Sequence, residues 1–163
     1  MRLMITAICF GVLSACQAGV PNYVILCEQT VRDYALLRDE GPAEAYANLF
    51  TEDGTFELGG TLTAGREALI TRHASANAKA AWRHTMSDIR INKIDKIITG
   101  ISRFNVKTGP HLDTPSAEVK REILGDYIDE FEVKGGVCKI KSRKVKIVFD
   151  TLFVKPRRQP GDR

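Results

Sequence analysis

Over residues 23–38 the apolar positions Val24, Cys27, Val31, Tyr34 and Leu37 recur at mixed spacings of three and four, with Glu28, Arg32 and Asp33 between them. Leu26, Ala35 and Leu36 widen the apolar side, and the period predicts an amphipathic helix. Gly41-Pro42 breaks it. Pro42 then opens a second short helix running to Phe50, with Ala43, Tyr46, Ala47 and Leu49 apolar. Thr51-Glu52-Asp53-Gly54 has turn chemistry and leads into a short strand over 55–58. Ala68, Leu69, Ile70 and Ala74 predict a third helix over 65–80.

Beyond residue 80 the period changes to two. Residues 82–91, 94–107, 119–133 and 137–154 read as long strands rich in β-branched and aromatic residues. Turn signals separate them at Asn92-Lys93, Thr108-Gly109-Pro110 and Gly135-Gly136. Helices followed by consecutive antiparallel strands predict an α+β domain with its helices on one face of the sheet. Long curved strands around helices leave a cavity at the open end, a usual place for a small-molecule site.

The first fifteen residues carry one positive charge, Arg2, an apolar run and small residues at the end, which is the order of an export signal. The run is too short to span a bilayer, which takes about 20 apolar residues. Leu13-Ser14-Ala15-Cys16 resembles the bacterial lipobox, which implies cleavage before Cys16 and lipid on its thiol; Gln17 is compatible with outer-membrane sorting. The same residues also allow an ordinary secretory signal cut nearby, or a buried first helix. The expected organisation is a signal over 1–15, a tether over 16–22, one domain over 23–154 and a basic, solvated tail over 155–163.

The 163 residues less the 15 of the signal leave 148, enough for one domain around one core. The net charge is +4, with basic residues interleaved among acidic ones, which argues against nucleic acid as a partner. Cys9 and Cys16 belong to the signal and lipid site, so Cys27 and Cys138 are the thiols of the domain, read equally as a bridge or as two buried cysteines. No His, Cys, Asp or Glu cluster has metal-ligand spacing, and neither a Gly-rich phosphate loop nor a G-x-S-x-G elbow occurs; no metal or cofactor is expected.

Four stretches in order carry a resemblance. They are Tyr34 to Gly41 with Ala45 to Gly54; Gly65-Arg66-Glu67; Arg83-His84-Thr85-Met86-Ser87-Asp88-Ile89; and Gly125 to Phe131 with Gly136 to Ile140 and Arg143. Together they resemble the SnoaL-like branch of the nuclear-transport-factor-2-like superfamily, which includes scytalone dehydratase, a lindane dehydrochlorinase and polyketide cyclases. The resemblance implies a cone-shaped α+β fold, N-terminal helices packed in a strongly curved antiparallel sheet, and pairing of sheets into a homodimer. Two positions depart from the family pattern: Asp88 where Asn is usual, and Cys138 where a Trp is usual.

The resemblance also implies an acid–base dyad, with Asp39 at the end of the first helix and His84 in a His-x-x-Ser/Thr-Asn pattern. An imidazole takes a proton near neutral pH, and a carboxylate at its other nitrogen fixes the tautomer. On a regular strand Trp82, His84 and Met86 face opposite to Ile89 and Ile91, so a bulge is expected near Ser87 or Asp88. Trp82, Arg121, Tyr127 and Arg143 are the candidate substrate contacts, with Arg121 and Asp129 expected to pair beside Tyr127. For Tyr127 the core reading is slightly favoured, and Arg143 reads equally well as a structural partner of a carboxylate. His73 reads as structural and His111 as exposed. The expected activity is a cofactor-independent lyase or isomerase reaction on a small apolar molecule; a non-catalytic binding or interaction module of the same fold is the rival.

Overall fold

The computed structural model describes residues 20–111 and 118–153. The expected export signal, Cys16 with its expected acylation, most of the expected tether and the expected basic tail lie outside the described residues. Helix α1 (Asn22–Glu40) buries Cys27, Thr30, Val31, Tyr34 and Arg38, of which Cys27, Val31 and Tyr34 lie on the stripe that its period predicts. It ends at Gly41, whose N–H donates to the Leu37 carbonyl. A Cβ there would stand 2.7 Å from Leu37 Cα, so the close approach of the chain requires glycine. Helix α2 (Ala43–Ala47) follows Pro42. It is shorter than expected, because Phe50 already pairs with Ile140 as the first residue of β1 (Phe50–Leu58).

The expected turn at 51–54 is an irregular part of that strand, where the register with its neighbour breaks between Phe50 and Thr55. Strand β2 (Thr61–Ala64) was not anticipated; its four residues are mostly exposed and carry no burial alternation to read. Helix α3 (Arg66–Asn77) buries Leu69 and His73. Four long strands complete the sheet: β3 (Ala81–Ile94), β4 (Ile97–Gly109), β5 (Arg121–Lys134) and β6 (Val137–Leu152). The β3–β4 turn falls at Asp95-Lys96 rather than Asn92-Lys93, with Asp95 in the left-handed region at φ 54°.

The six strands form one curved, unclosed sheet in the order β2-β1-β6-β5-β4-β3. It is antiparallel at every pairing except β1 with β6, which run parallel. Helix α1 packs across β3 and β6, and α3 against β1 and β2. The concave side holds the core, with Phe104 and Val106 from β4, Tyr127 and Phe131 from β5, and Ile140 from β6.

Bulges shape that concavity. In β3, Ser87 opposes Arg103 and Arg90 opposes Ile101, leaving Asp88 and Ile89 facing the single residue Ser102. Asp88 takes φ 48°, and the shift in parity lets Met86, Ile89 and Ile91 all pack against the core. In β6, Lys141 is the extra residue, so that Ile140 and Arg143 both face inward.

Cys27 in α1 and Cys138 at the start of β6 form a disulfide that closes a separation of 111 residues. Both cysteines are buried in the core. A cross-link over so long a loop stabilises by roughly 2–5 kcal/mol, chiefly through the unfolded chain. A reducing agent is therefore expected to lower the melting temperature of the wild-type protein to that of the Cys27→Ser/Cys138→Ser variant, and to leave the variant's own unchanged. Equal melting temperatures for oxidised and reduced wild type would contradict this.

Candidate functional site

Asp39 and His84 come together although they stand on different elements. The last turn of α1 presents Asp39 to the first residues of β3. The His84 backbone N–H donates to Asp39 Oδ2 at 2.7 Å, and Nδ1 lies 2.5 Å from Oδ1. A carboxylate accepts only, so Nδ1 carries the hydrogen and Nε2 is left with its lone pair. Both side chains are almost wholly buried, at 4% and 3% exposure.

His84 lines a cavity of about 200 Å³ and Asp39 does not, so with Nδ1 taken by Asp39 the free edge of the ring is the one available to the cavity. Its apolar wall includes Phe56, Phe104, Val106, Ile123, Val145 and Ile147. Its polar groups are His84, Tyr34, Tyr127, Arg38, Arg72 and Arg121. Trp82 also lines it, with its indole N–H donated to the Ala76 carbonyl at 3.2 Å. The Trp82 ring lies nearly parallel to His84 with centroids 6.5 Å apart, and Tyr34 meets His84 edge-on at 6.2 Å.

Burial pushes His84 below its ordinary 6.5; the hydrogen bond and charge of Asp39 pull upward, and the guanidinium charges of Arg38 and Arg143 add to the downward side. Burial wins, so the imidazole is neutral at neutral pH and able to accept a proton. Burial, reinforced by Tyr34, also raises Tyr127 well above a phenol's usual value, so that hydroxyl stays a donor. Tyr46 is raised in the same way.

Of the remaining candidates, Arg121 does not pair with Asp129. It donates through Nε to Asp150 Oδ1 at 2.7 Å and through Nη2 to Oδ2. Asp129 instead holds Arg143 bidentately, both bonds at 2.7 Å. Arg143 is not among the residues lining the cavity; its guanidinium lies 3.9 Å from the Tyr34 ring centroid and 4.3 Å from that of Tyr127. Burial alone would lower Arg143, but Asp129 more than offsets it and holds the group charged. It is thus a structural partner behind the tyrosines. Asp88, the departure from the family pattern, is an exposed partner of Arg103 at 3.0 Å and does not touch the dyad.

His73 is structural, as expected: Nε2–H donates to the Leu37 carbonyl at 3.0 Å, bracing the end of α1 that carries Asp39. His111 is exposed and donates to the Asn77 carbonyl at 2.6 Å. Sequence reasoning missed Tyr34, Arg38 and Arg72. The available signal was positional: Arg38 falls on the buried stripe of α1, and Arg72 lies three residues after the buried Leu69.

Burial also lowers His73. In the unfolded chain both histidines titrate near the ordinary value, so below about pH 6.5 the unfolded state takes up protons that the folded state refuses. Their contribution to stability is therefore complete above that pH and is lost as pH falls through the folded values. Thermal unfolding is expected to show a plateau around pH 7–8 and a decline below about 6.5. A melting temperature that climbs on acidification through this range would contradict the placement of both rings.

Among the described residues no group of three or more His, Cys, Asp or Glu is placed to hold a metal ion. No curated protein matches the chain. Solved structures share its fold. Rv3472 of Mycobacterium tuberculosis, a protein of unknown function, is 25% identical, with 77% of this chain and 71% of that one covered at a TM-score of 0.66. A putative scytalone dehydratase from Novosphingobium aromaticivorans is 20% identical, with coverage of 85% and 93% and a TM-score of 0.68. A hexachlorocyclohexane dehydrochlorinase, LinA type 2, is 14% identical, with coverage of 85% and 94% and a TM-score of 0.68. The SnoaL-like domain model matches residues 27–144, from the disulfide cysteine of α1 to the residue after Arg143, and so takes in most of α1, strands β1 to β5, the first half of β6 and the Asp39–His84 pair. The chain belongs to the SnoaL-like domain family.

Proposed function

We propose that the protein is a cofactor-independent lyase or isomerase acting on a small, largely apolar molecule, with His84 as general base and Asp39 as the residue that orients it. One observation carries this reading: both oxygens of Asp39 are taken by His84, which fixes an unprotonated Nε2 on the cavity side. A carbon-bound proton passes to Nε2, and its bonding pair becomes a new carbon–carbon double bond as the leaving group departs with its own electron pair. Where no leaving group is present, the proton returns to another carbon of the substrate and the reaction is an isomerisation. Tyr127, kept protonated by burial, has a phenol to offer an oxygen of the substrate. The dehydratase and dehydrochlorinase names of two structural neighbours fit this class.

A screen of small hydroxylated and halogenated carbon acids, by thermal shift and then by turnover in deuterated water, tests it. Turnover that disappears in His84→Gln supports the proposal; ligands that bind wild type and variant alike with no turnover in either would make the protein a binding module.

Export belongs to the same proposal, and the buried Cys27–Cys138 bridge supports it, since such bridges persist in oxidising compartments. Intact mass of the mature chain should show an acylated Cys16 as the first residue; an unmodified N-terminus would remove the membrane anchor. The outward-facing Ile101 and Ile128, adjacent in register on β4 and β5, support pairing with a second copy, which sedimentation should report as a dimer and not a monomer.

A further inference from the structure

The cavity wall carries more positive charge than an apolar substrate needs. Arg121 is balanced by Asp150, and Arg143 behind the wall by Asp129. Arg38 and Arg72 have no carboxylate within ion-pair distance among the described residues. Arg38 is buried, stacked 4.6 Å from the Trp82 ring centroid, and held by one bond from Nη1 to Asn77 Oδ1. Arg72 is half-buried over Phe56, with its guanidinium carbon 4.0 Å from the ring centroid. It has no hydrogen-bonded partner among the described residues. Among the described residues no carboxylate lines the cavity, and Asp39, behind His84, already gives both oxygens to that residue.

Two guanidinium groups against one carboxylate leave the site with a surplus of one positive charge. Its walls are otherwise mostly apolar, where an unpaired charge is costly. The negative end of α1 helps hold Arg38, which stands in its last turn. Nothing comparable serves Arg72. Each guanidinium has a face covered by an aromatic ring, which fixes its plane and leaves N–H edges free for bidentate bonding. They reach the cavity from different helices, α1 and α3, and both act on the phenol of Tyr46.

We propose that the molecule held in this cavity is an apolar monocarboxylate, its anionic oxygens taken by Arg38 and Arg72 and its hydrocarbon part lying against the sheet. This deepens the reading of the same cavity as a substrate site and rests on it, but it concerns recognition and not turnover. The carboxylate supplies the missing negative charge and anchors the substrate at the helix side, while His84 addresses the hydrocarbon part.

The test is calorimetric titration of the whole protein near neutral pH with 3-phenylpropionate and with its neutral amide, 3-phenylpropanamide, which has nearly the same shape. Wild type is expected to bind the carboxylate about 10-fold or more tightly than the amide, the scale of a charge-assisted hydrogen bond. Arg72→Met keeps the packing over Phe56 and is expected to reduce that preference to about twofold or less, whereas His84→Gln, which removes the base but no cation, should retain it. Should Arg72→Met fail to fold, the wild-type comparison still decides. Equal affinity for the two probes, tighter binding of the amide, or no binding of either overturns the proposal. A carboxylate preference without turnover of any carbon acid would leave it standing and remove the lyase reading instead.

Discussion

Asp129→Ala is expected to cost roughly 3–5 kcal/mol of stability, the usual effect of removing one member of a buried ion pair. The reason lies in what stays behind. Arg143 is fully buried, its two bonds to Asp129 join facing positions of β5 and β6, and its guanidinium is enclosed by Tyr34 and Tyr127. Its Nη1 already lacks a partner. Without Asp129 the cation has no compensating charge and no water to turn to. For a domain of this size the loss corresponds to a fall of about 10 °C or more in melting temperature. The double replacement Asp129→Leu/Arg143→Met should recover much of it, because the penalty comes from the stranded charge and not from a missing attraction. A single Asp129→Ala variant as stable as wild type would show that the pair is not buried as described.

Asp39→Asn and His84→Gln should each lower kcat by about 10²–10⁴-fold on the substrate that the screen identifies, with a much smaller change in KM. For His84→Gln the base itself is gone. Asp39→Asn is subtler, because it keeps shape and removes one acceptor. The carboxylate accepts from both the backbone N–H and Nδ1–H of His84, and an amide has one oxygen for the two donors. Its NH₂ group then faces a ring nitrogen that carries a hydrogen, so the imidazole is driven to the tautomer with hydrogen on Nε2, which cannot accept a proton on the cavity side. An Asp39→Asn variant with wild-type kcat would mean that Asp39 is only a helix-end partner of the strand.

Much of the fold is legible in the sequence. The three-and-four spacing of Cys27, Val31 and Tyr34 names the buried face of α1 correctly. The bulge at Asp88 follows from a parity conflict, since Met86 and Ile91 can both face the core only if a residue is inserted between them. What the sequence hides is partnership across distance. Alternation along β1 and β6 says which faces are apolar, not that the first strand runs parallel to the last, nor that Phe50 leaves its helix to pair with Ile140. The same blindness misassigns Asp129: sidedness along its own strand pairs it with Arg121, whereas the register sets it opposite Arg143. Arg38 and Arg72 escape for another reason: a charge on a helix is read as solvated, and stacking of its guanidinium on Trp82 or Phe56 is a tertiary fact.

The chemistry depends on one imidazole, kept neutral by burial and with its hydrogen fixed on Nδ1 by Asp39. Nitrogen-15 NMR of His84 followed through a pH titration reads tautomer and protonation together, without a substrate. The predicted result is a hydrogen on Nδ1, an unprotonated Nε2 at neutral pH and a midpoint below the ordinary 6.5, with the tautomer lost in Asp39→Asn. A His84 that carries its hydrogen on Nε2, or is already protonated at neutral pH, would contradict it.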